Sequence, residues 1–290
     1  MSRMYSLIFS LYFCCSLTAL TPAQRFTWSD YLAIPPGSQI TEGNQILHFN
    51  PKNKPYWENE KALLFVKTYL STATALESDA EVLKFGSDQV RLQGSYIELG
   101  VCTGKTINFI AALNPHQKIY GFDSFQGLPE EWIRDDFIMA AGTFAFKNQN
   151  ILPPVLHNVD IFKGLFSDTL NQFIQSRPNL EPIAFLHMDS DIYSSAVCAF
   201  KALGDRIVPG TIIVFDELYN YPGVEQHEWK AFQEFLEVHN LTVEYLAYNI
   251  YHEQVAVRIA SYSPYLTLSK SPFGASPLRQ ISVRDACSCG

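Results

Sequence analysis

The stretch Tyr96-Ile97-Glu98-Leu99-Gly100-Val101-Cys102-Thr103-Gly104 decides how the rest of the chain is interpreted. Its apolar half, bracketed by Gly94 and Gly100, is typical of a strand buried on both faces, the first strand of an α/β sheet. The glycines let a ligand approach the backbone, and the helix expected over 105–113 directs its free N–H groups into the same crevice. The stretch therefore predicts a ligand site where strand, turn and helix meet.

A second apolar run favours a ligand that contains ribose. Residues 118–122 end at Asp123, and an acidic residue at that position can bind both ribose hydroxyls. A P-loop has four residues between its glycines and this turn has three, while Cys102 stands where a dinucleotide fingerprint has its second glycine. The stretch instead resembles the S-adenosylmethionine (SAM) site of Rossmann-like methyltransferases; a turn that merely joins strand to helix is the alternative. The candidate cofactor-binding residues are Glu98, Gly100, Thr103, Gly104, Asp123 and Ser124.

Composition limits the classes of protein that the chain can belong to. With 290 residues, 47% of them hydrophobic, it can bury the core of one α/β domain with extensions. The net charge of −8 and the scattered Lys and Arg residues argue against a nucleic-acid partner. The six cysteines show neither zinc-ligand spacing nor a disulfide framework, and we expect Cys102 and Cys198 in the core.

The pattern divides the chain into four segments. Residues 1–24 resemble a signal peptide or an anchor, 25–93 an N-terminal arm and helical cap, 94–262 a methyltransferase domain, and 263–290 a disordered tail. Such a leader predicts membrane-associated, secretory or organellar targeting and allows a membrane tether. The supply of SAM inside cells predicts an intracellular active site, and the sequence does not decide between these locations. Exchange of the arm between subunits would give a homo-oligomer.

From Gly94 onward, short apolar runs alternate with helical stretches. This alternation predicts an α/β fold of the Rossmann-like methyltransferase type. We expect a seven-stranded, mostly parallel sheet with an antiparallel last strand, helices on both faces and an N-terminal helical cap. The expected strands are 95–99, 118–122, 158–162, 182–188, 211–215, 242–248 and 254–260. The expected helices are 56–69, 76–83, 105–113, 194–207 and 226–239.

Two pairs of carboxylates end the fourth and fifth expected strands. Asp189 and Asp191 follow one strand, Asp216 and Glu217 follow the next, and the carboxyl ends of neighbouring parallel strands meet at one edge. Like charges this close raise each other's pKa by roughly 1 to 3 units, and a divalent cation relieves the repulsion. Oxygen ligands favour Mg²⁺ or Mn²⁺ over zinc. The alternative is structural, with Asp191 capping a helix and Asp216 closing a turn.

Four motifs together resemble the macrocin O-methyltransferase family, the metal-dependent sugar O-methyltransferases. They cover 122–130, 163–170, 187–193 and 209–217, in that order. The resemblance implies SAM-dependent O-methylation in which Asp191 is the general base. It also implies that the metal ligands are Asp189, Asp216 and Glu217, where the family has Asp at the last position.

The acceptor class follows from this chemistry. A cation that binds two vicinal hydroxyls makes them more acidic, so we expect a small-molecule hydroxyl acceptor, sugar-like or another vicinal diol. Its specificity is expected from the N-terminal arm and from 132–154. Two alternatives stay open: a metal-dependent hydrolase that uses the same carboxylates, and a non-catalytic binding protein on a methyltransferase fold. We expect His187 to be a core histidine and His157 and His227 to be surface residues.

Overall fold

The computed structural model describes residues 55–146, 152–177, 179 and 181–262. The predicted leader, the arm before residue 55 and the predicted tail lie outside these residues, so the membrane tether and the oligomer stay predictions. Within the described residues, no helix is both long and apolar enough to cross a membrane.

The helices are α1 Glu60–Tyr69, α2 Asp79–Asp88, α3 Lys105–Leu113, α4 Phe166–Gln175, α5 Tyr193–Leu203 and α6 Glu228–Val238. The strands are β1 Thr74–Leu76, β2 Ser95–Leu99, β3 Ile119–Asp123, β4 Trp132–Ile133, β5 Ile138–Met139, β6 Val159–Lys163, β7 Ile183–Met188, β8 Ile212–Phe215, β9 Leu241–Asn249 and β10 Val255–Tyr262.

Eight strands form the main sheet, in the order β1-β9-β10-β8-β7-β2-β3-β6. All pairings are parallel except those of β10, which lies antiparallel between β8 and β9. The predicted α/β fold and its antiparallel last strand are therefore confirmed, and each of the seven predicted strands is present. The count of seven is too low, because β1 adds a parallel edge strand of three residues, too short to show a period of two.

The central strands are buried on both faces and divide the core in two. Alternate residues point to opposite faces: Tyr96 and Phe185 pack on one side, Ile97 and Leu186 on the other. Helices α2 and α3 cover the first side, while α1, α4, α5 and α6 cover the second. Strands hydrophobic on both faces are those that helices cover on both sides, as the sequence predicted.

The N-terminal helices pack on the sheet. Asn59 caps α1 by accepting hydrogen bonds from the N–H groups of Lys61 and Ala62, at 3.1 and 3.3 Å. The ring of Phe65 lies 4.7 Å from that of Trp229 in α6. Helix α2 begins at Asp79, later than the expected residue 76, because the chain up to that point forms β1 and Ser78 caps the helix.

Several boundaries differ from the expectation. Helix α5 ends at Leu203, before the expected residue 207, because Gly204–Arg206 tightens into a 3₁₀ turn. Two elements were not expected from the sequence: helix α4 and the β4–β5 hairpin. The hairpin is only two residues deep on each side, which leaves almost no alternating pattern to detect.

Backbone hydrogen bonds join the strand ends at the edge where the candidate residues lie. The N–H of Gly100 donates to the Phe122 carbonyl, and the N–H of Asp189 donates to the Leu99 carbonyl, both at 2.9 Å. The N–H of Asp216 donates to the Met188 carbonyl, also at 2.9 Å. The ends of β2, β3, β7 and β8 thus form one continuous floor.

Candidate active site

A cavity of about 1660 Å³ opens at this edge of the sheet. One small-molecule ligand needs roughly 300 to 1,000 Å³, so the cavity has room for a cofactor and an acceptor together. Among the described residues, none before Gly100 lines it, so α1 and α2 pack on the sheet without forming part of the cavity wall. The predicted residues on its wall are Gly100, Thr103, Asp123, Ser124, Asp189, Asp191, Asp216 and Glu217.

The glycine turn has a backbone that side chains would obstruct. Gly100 has a φ of +92°, and a Cβ there would lie 1.8 Å from the Asp189 carbonyl oxygen. Cys102 and Gly104 also have positive φ, at 43° and 78°. Gly104 is buried at the N-terminus of α3 and does not line the cavity. The turn therefore brings bare backbone to the cavity at Gly100, as predicted, and uses Gly104 to start the helix.

Asp123 holds the glycine turn through its carboxylate. One oxygen, Oδ2, accepts from the N–H of Val101 at 2.9 Å and of Cys102 at 2.7 Å. The other, Oδ1, accepts from the N–H of Phe125 at 2.6 Å. Each carboxylate oxygen can accept more than one hydrogen bond. Asp123 can therefore fix the turn and still accept from ribose hydroxyls.

Glu98 lies beneath the cavity and does not line it. Its side chain is fully buried, its Oε1 accepts from the Thr106 hydroxyl of α3, and the same oxygen lies 3.7 Å from His187 Nδ1. Burial raises the pKa of Glu98. Its carboxylate does not reach the cavity, and its described hydrogen bond is to α3, the helix that follows the glycine turn. His187 is fully buried, as expected for a core histidine.

Three carboxylates meet beside the glycine turn. Asp189, Asp191 and Glu217 each bring one oxygen to within 4.8 Å of the others. Asp216 is not a member of this group: its Oδ1 accepts from the Gln254 amide at 3.1 Å. The expected metal set was Asp189, Asp216 and Glu217, so in this arrangement Asp191 takes the place of Asp216.

Burial and mutual repulsion make the cluster reluctant to ionise. Burial, followed by the charges of Asp216 and Glu253, raises the pKa of Asp191 to about 7. Burial and the neighbouring acids raise the pKa of Asp189 and of Glu217 well above the ordinary range. For Asp216 burial acts in the same direction, but His187, the Glu217 hydrogen bond and Lys105 outweigh it and lower its pKa.

The donor set fits a divalent cation. All three grouped ligands are oxygen atoms, the set that Mg²⁺ and Mn²⁺ prefer. Glu217 Oε2 is buried and has no hydrogen-bond partner among the described residues. A buried carboxylate oxygen without a donor is costly unless it binds a cation. Lys105, the nearby lysine on the cavity wall, is held by Asp79 of α2 at 2.9 Å.

The β4–β5 hairpin forms part of the cavity wall through Trp132, Arg134 and Met139. Arg134, in the hairpin turn, makes a two-pronged contact with Glu253, at 3.2 and 3.0 Å. Its guanidinium also lies 4.3 Å from the centre of the Tyr221 ring. His227 is buried with Nε2 2.8 Å from the Ile133 carbonyl, so the expectation of a surface histidine is wrong. His157 is exposed, as expected.

The two described cysteines also differ from the expectation. Cys102 and Cys198 are half-buried and line the cavity, whereas core positions were expected. Both follow apolar residues, so the pattern could not distinguish a core position from a cavity wall. Burial raises the pKa of the Cys102 thiol to about 12, and nearby Asp123 adds to this effect. The thiol is therefore poorly suited to act as a nucleophile.

Two further acids at the site were not predicted from the sequence. Glu228, the first residue of α6, accepts from the N–H and the hydroxyl of Ser190, at 2.9 and 2.8 Å. Glu253 faces the cavity from the β9–β10 turn. A signal existed for Glu253: because β10 runs antiparallel to β8, the turn before β10 lies at the edge where β8 ends, beside the four predicted carboxylates. No spacing rule indicates Glu228.

Comparison with known proteins gives one family and one fold. A family model for the macrocin-O-methyltransferase TylF matches residues 82–250, more than half of the chain. No curated protein matches. The calicheamicin methyltransferase CalS11 is 22% identical, with a TM-score of 0.50 over 62% of this chain and 78% of that one. The O-methyltransferase NovP is 20% identical, with a TM-score of 0.44 over 62% and 79%. The likeness to CalS11 shows the fold alone.

Proposed function

Because the chain belongs to the macrocin O-methyltransferase family, it is a SAM-dependent methyltransferase, and we propose that it methylates a hydroxyl of a sugar or other vicinal diol with the help of Mg²⁺ or Mn²⁺. The observation that carries this proposal is the group formed by Asp189, Asp191 and Glu217 on the wall of a cavity that the glycine turn also lines. Family membership also disfavours the two alternatives, a hydrolase and a non-catalytic binding protein.

Asp191 has the properties that a general base needs. A hydroxyl loses its proton far above neutral pH, so a positioned base contributes about 10² to 10⁴ in rate. Asp191 lies on the cavity wall next to Asp189 and Glu217, where its carboxylate can take the proton of a hydroxyl bound in the cavity. Asp191 removes the proton from the acceptor hydroxyl, and the hydroxyl oxygen attacks the methyl carbon of SAM in line; the bond between that carbon and the sulfur breaks, and S-adenosylhomocysteine leaves.

Asp189 and Glu217 hold the metal, because they belong both to the observed group and to the set that the resemblance implies. Asp216, adjacent to Glu217, is the third ligand that the resemblance implies. A divalent cation supplies positive charge that offsets the carboxylates and makes the acceptor hydroxyl more acidic. Glu217 Oε2, which has no hydrogen-bond donor among the described residues, gives the cation a free oxygen.

The remaining residues orient the two substrates. Gly100 leaves the turn open for close approach. Asp123, Ser124 and Thr103 line the cavity, and we assign the first two to the ribose of SAM. Trp132 and Met139 of the hairpin offer an apolar surface to the acceptor. We assign acceptor specificity to this hairpin, because the described part of the N-terminal arm does not line the cavity. Holding the two substrates side by side supplies much of the remaining rate.

Transfer of labelled methyl groups from SAM to a panel of vicinal-diol sugars tests this proposal. We expect transfer to at least one sugar hydroxyl, loss of transfer in EDTA, and recovery when Mg²⁺ or Mn²⁺ is added. Transfer that EDTA leaves unchanged would remove the metal from the proposal. Transfer only to nitrogen or carbon acceptors would remove the hydroxyl acceptor.

A further inference from the structure

Asp191 sits at the centre of an unusual turn. Its φ is +60°, and the N–H of Ile192 donates to the Ser190 carbonyl at 2.6 Å, which closes a three-residue γ-turn around it. A γ-turn with positive φ is rare and strained for a residue with a side chain. Such backbone persists only where the surrounding structure enforces it, and it concentrates at functional sites.

Both sides of the turn are fixed, and one of the contacts is a carboxylate from a distant helix. Ahead of Asp191, the N–H of Asp189 is hydrogen-bonded to Leu99 at 2.9 Å. Behind it, Ile192 is 2% exposed and packs in a small apolar cluster. Between these anchors, Ser190 gives both its N–H and its hydroxyl to Glu228 Oε1, at 2.9 and 2.8 Å.

The burial of the Glu228 carboxyl group is unfavourable, which indicates that this side chain does more than fill space. Glu228 is fully buried, and its second oxygen, Oε2, has no hydrogen-bond partner among the described residues. A buried acid beside other acids lowers the stability of the fold. Its presence is explained if the hydrogen bonds that it accepts from Ser190 serve the site.

We propose that Glu228 is a positioning residue that, by holding Ser190, forces Asp191 into the γ-turn and aims Asp189 and Asp191 at one point. It does not touch the reacting atoms; it acts through the backbone of Ser190. The idea rests on the proposed function, because the aimed carboxylates are the proposed base and a proposed metal ligand. With Glu228 in place, Asp189 stays close enough to Glu217 for the two to hold one cation, and Asp191 stays beside them.

Mn²⁺ binding to the full chain, measured by electron paramagnetic resonance, tests this role without an acceptor. The informative pair is Glu228→Gln and Glu228→Ala, because neither carries the charge and only glutamine can still accept from Ser190. We expect Glu228→Ala to bind Mn²⁺ at least about tenfold more weakly than Glu228→Gln, the effect of losing about one strong hydrogen bond. SAM affinity should agree within about twofold, because the glycine turn does not depend on Glu228.

Glu225→Ala is the matched control. Glu225 is an acid three residues earlier that pairs with Lys61 at 3.2 Å and does not line the cavity, so Mn²⁺ affinity should be unchanged. Equal Mn²⁺ affinity in folded Glu228→Gln and Glu228→Ala would overturn the inference. If Glu228→Ala does not fold, Glu228→Asp decides, because it keeps the carboxyl group but is one methylene shorter and draws it away from Ser190: weaker Mn²⁺ binding than in Glu228→Gln supports the role, and binding equal to that of Glu228→Gln overturns it.

Hydrogen exchange separates failure of this inference from failure of the proposed function. Wild-type protein that binds SAM but no Mn²⁺ would contradict the proposed metal. In that case the amides of Ser190 and Ile192 still report on the turn. Faster exchange in Glu228→Ala than in Glu228→Gln supports the positioning role, and equal exchange overturns it.

Discussion

Removing the Asp123 carboxylate should loosen the glycine turn and weaken SAM binding. In Asp123→Ala three backbone N–H groups, those of Val101, Cys102 and Phe125, lose acceptors at 2.6 to 2.9 Å. Hydrogen bonds to a charged group contribute about 1.5 to 3 kcal/mol each, so three would total roughly 4.5 to 9 kcal/mol in a dry interior. Asp123 is half-buried and water can reach the freed amides. We therefore expect a loss of about 3 kcal/mol in the free energy of unfolding.

Urea denaturation measures this loss, and calorimetry measures the accompanying change in SAM affinity. Asp123→Asn should fall between wild type and Asp123→Ala, because an amide has only one oxygen with which to replace two. Asp160→Ala is the control: Asp160 pairs with Lys118 at 2.8 Å on the exposed side of β6, and a surface ion pair is worth about 0 to 1 kcal/mol. A loss below about 1 kcal/mol in Asp123→Ala, the size of that control, would refute the claim that Asp123 holds the turn.

Three further predictions concern the carboxylate cluster and the hairpin. Asp191→Asn should abolish methyl transfer while SAM affinity, measured by calorimetry, stays nearly unchanged; a tenfold loss of SAM affinity would count against a general base. The pKa of Asp191 is raised to about 7 and that of Glu228 to about 8, above the roughly 4 of unfolded carboxyls. The metal-free native state therefore binds more protons than the unfolded state between about pH 4 and 8, and the free energy of unfolding should fall as pH rises through that window. Melting temperatures in EDTA should show this fall and Mg²⁺ should oppose it, whereas a flat profile in EDTA would contradict the assigned burial. Arg134→Ala should speed hydrogen exchange in 132–139 and raise the acceptor KM without changing SAM affinity, because it removes both contacts to Glu253. Arg134→Lys keeps the charge but cannot make the two-pronged contact, so it should restore only part of the wild-type protection and KM. Wild-type exchange rates in Arg134→Ala would contradict the claim that Arg134 holds the hairpin.

The sheet could be predicted because its signals are local. Each central strand is a short apolar run with a turn residue at its end, and the run at 95–99 coincides with β2. The edge strand β1 and the hairpin were not predicted, because strands of two or three residues are too short to show an alternation of apolar and polar residues. Residues 204–206 fit the helical spacing of α5 but tighten into a 3₁₀ turn, which spacing alone does not reveal.

Proximity at the site could be predicted, but contact could not. Parallel topology places Asp189, Asp191, Asp216 and Glu217 at one edge, and all four do line one cavity. Which oxygen atoms meet depends on side-chain rotamers and on partners such as Gln254, which comes from a distant turn. For the same reason the sequence did not show that Glu98 is buried beside Thr106 of α3 and His187 and does not line the cavity.

Buried long-range contacts were the least accessible to sequence reasoning. Glu228 lies in the first turn of a helix, where an acid is ordinarily explained by the helix dipole. Its actual partner, Ser190, is thirty-eight residues earlier in the chain. His227 was expected on the surface, yet its contact with the Ile133 carbonyl joins it to the hairpin, ninety-four residues away in the chain.

The measurement that tests the central claim most directly is the effect of Mn²⁺ on the NMR signal of SAM labelled with ¹³C in its methyl group. If the cation and the methyl group share the cavity between Asp191 and the glycine turn, Mn²⁺ should broaden the methyl signal of bound SAM. The broadening should disappear in the double variant Asp189→Asn, Glu217→Gln, which should still bind SAM. A methyl signal of bound SAM that stays sharp at saturating Mn²⁺ would contradict the account.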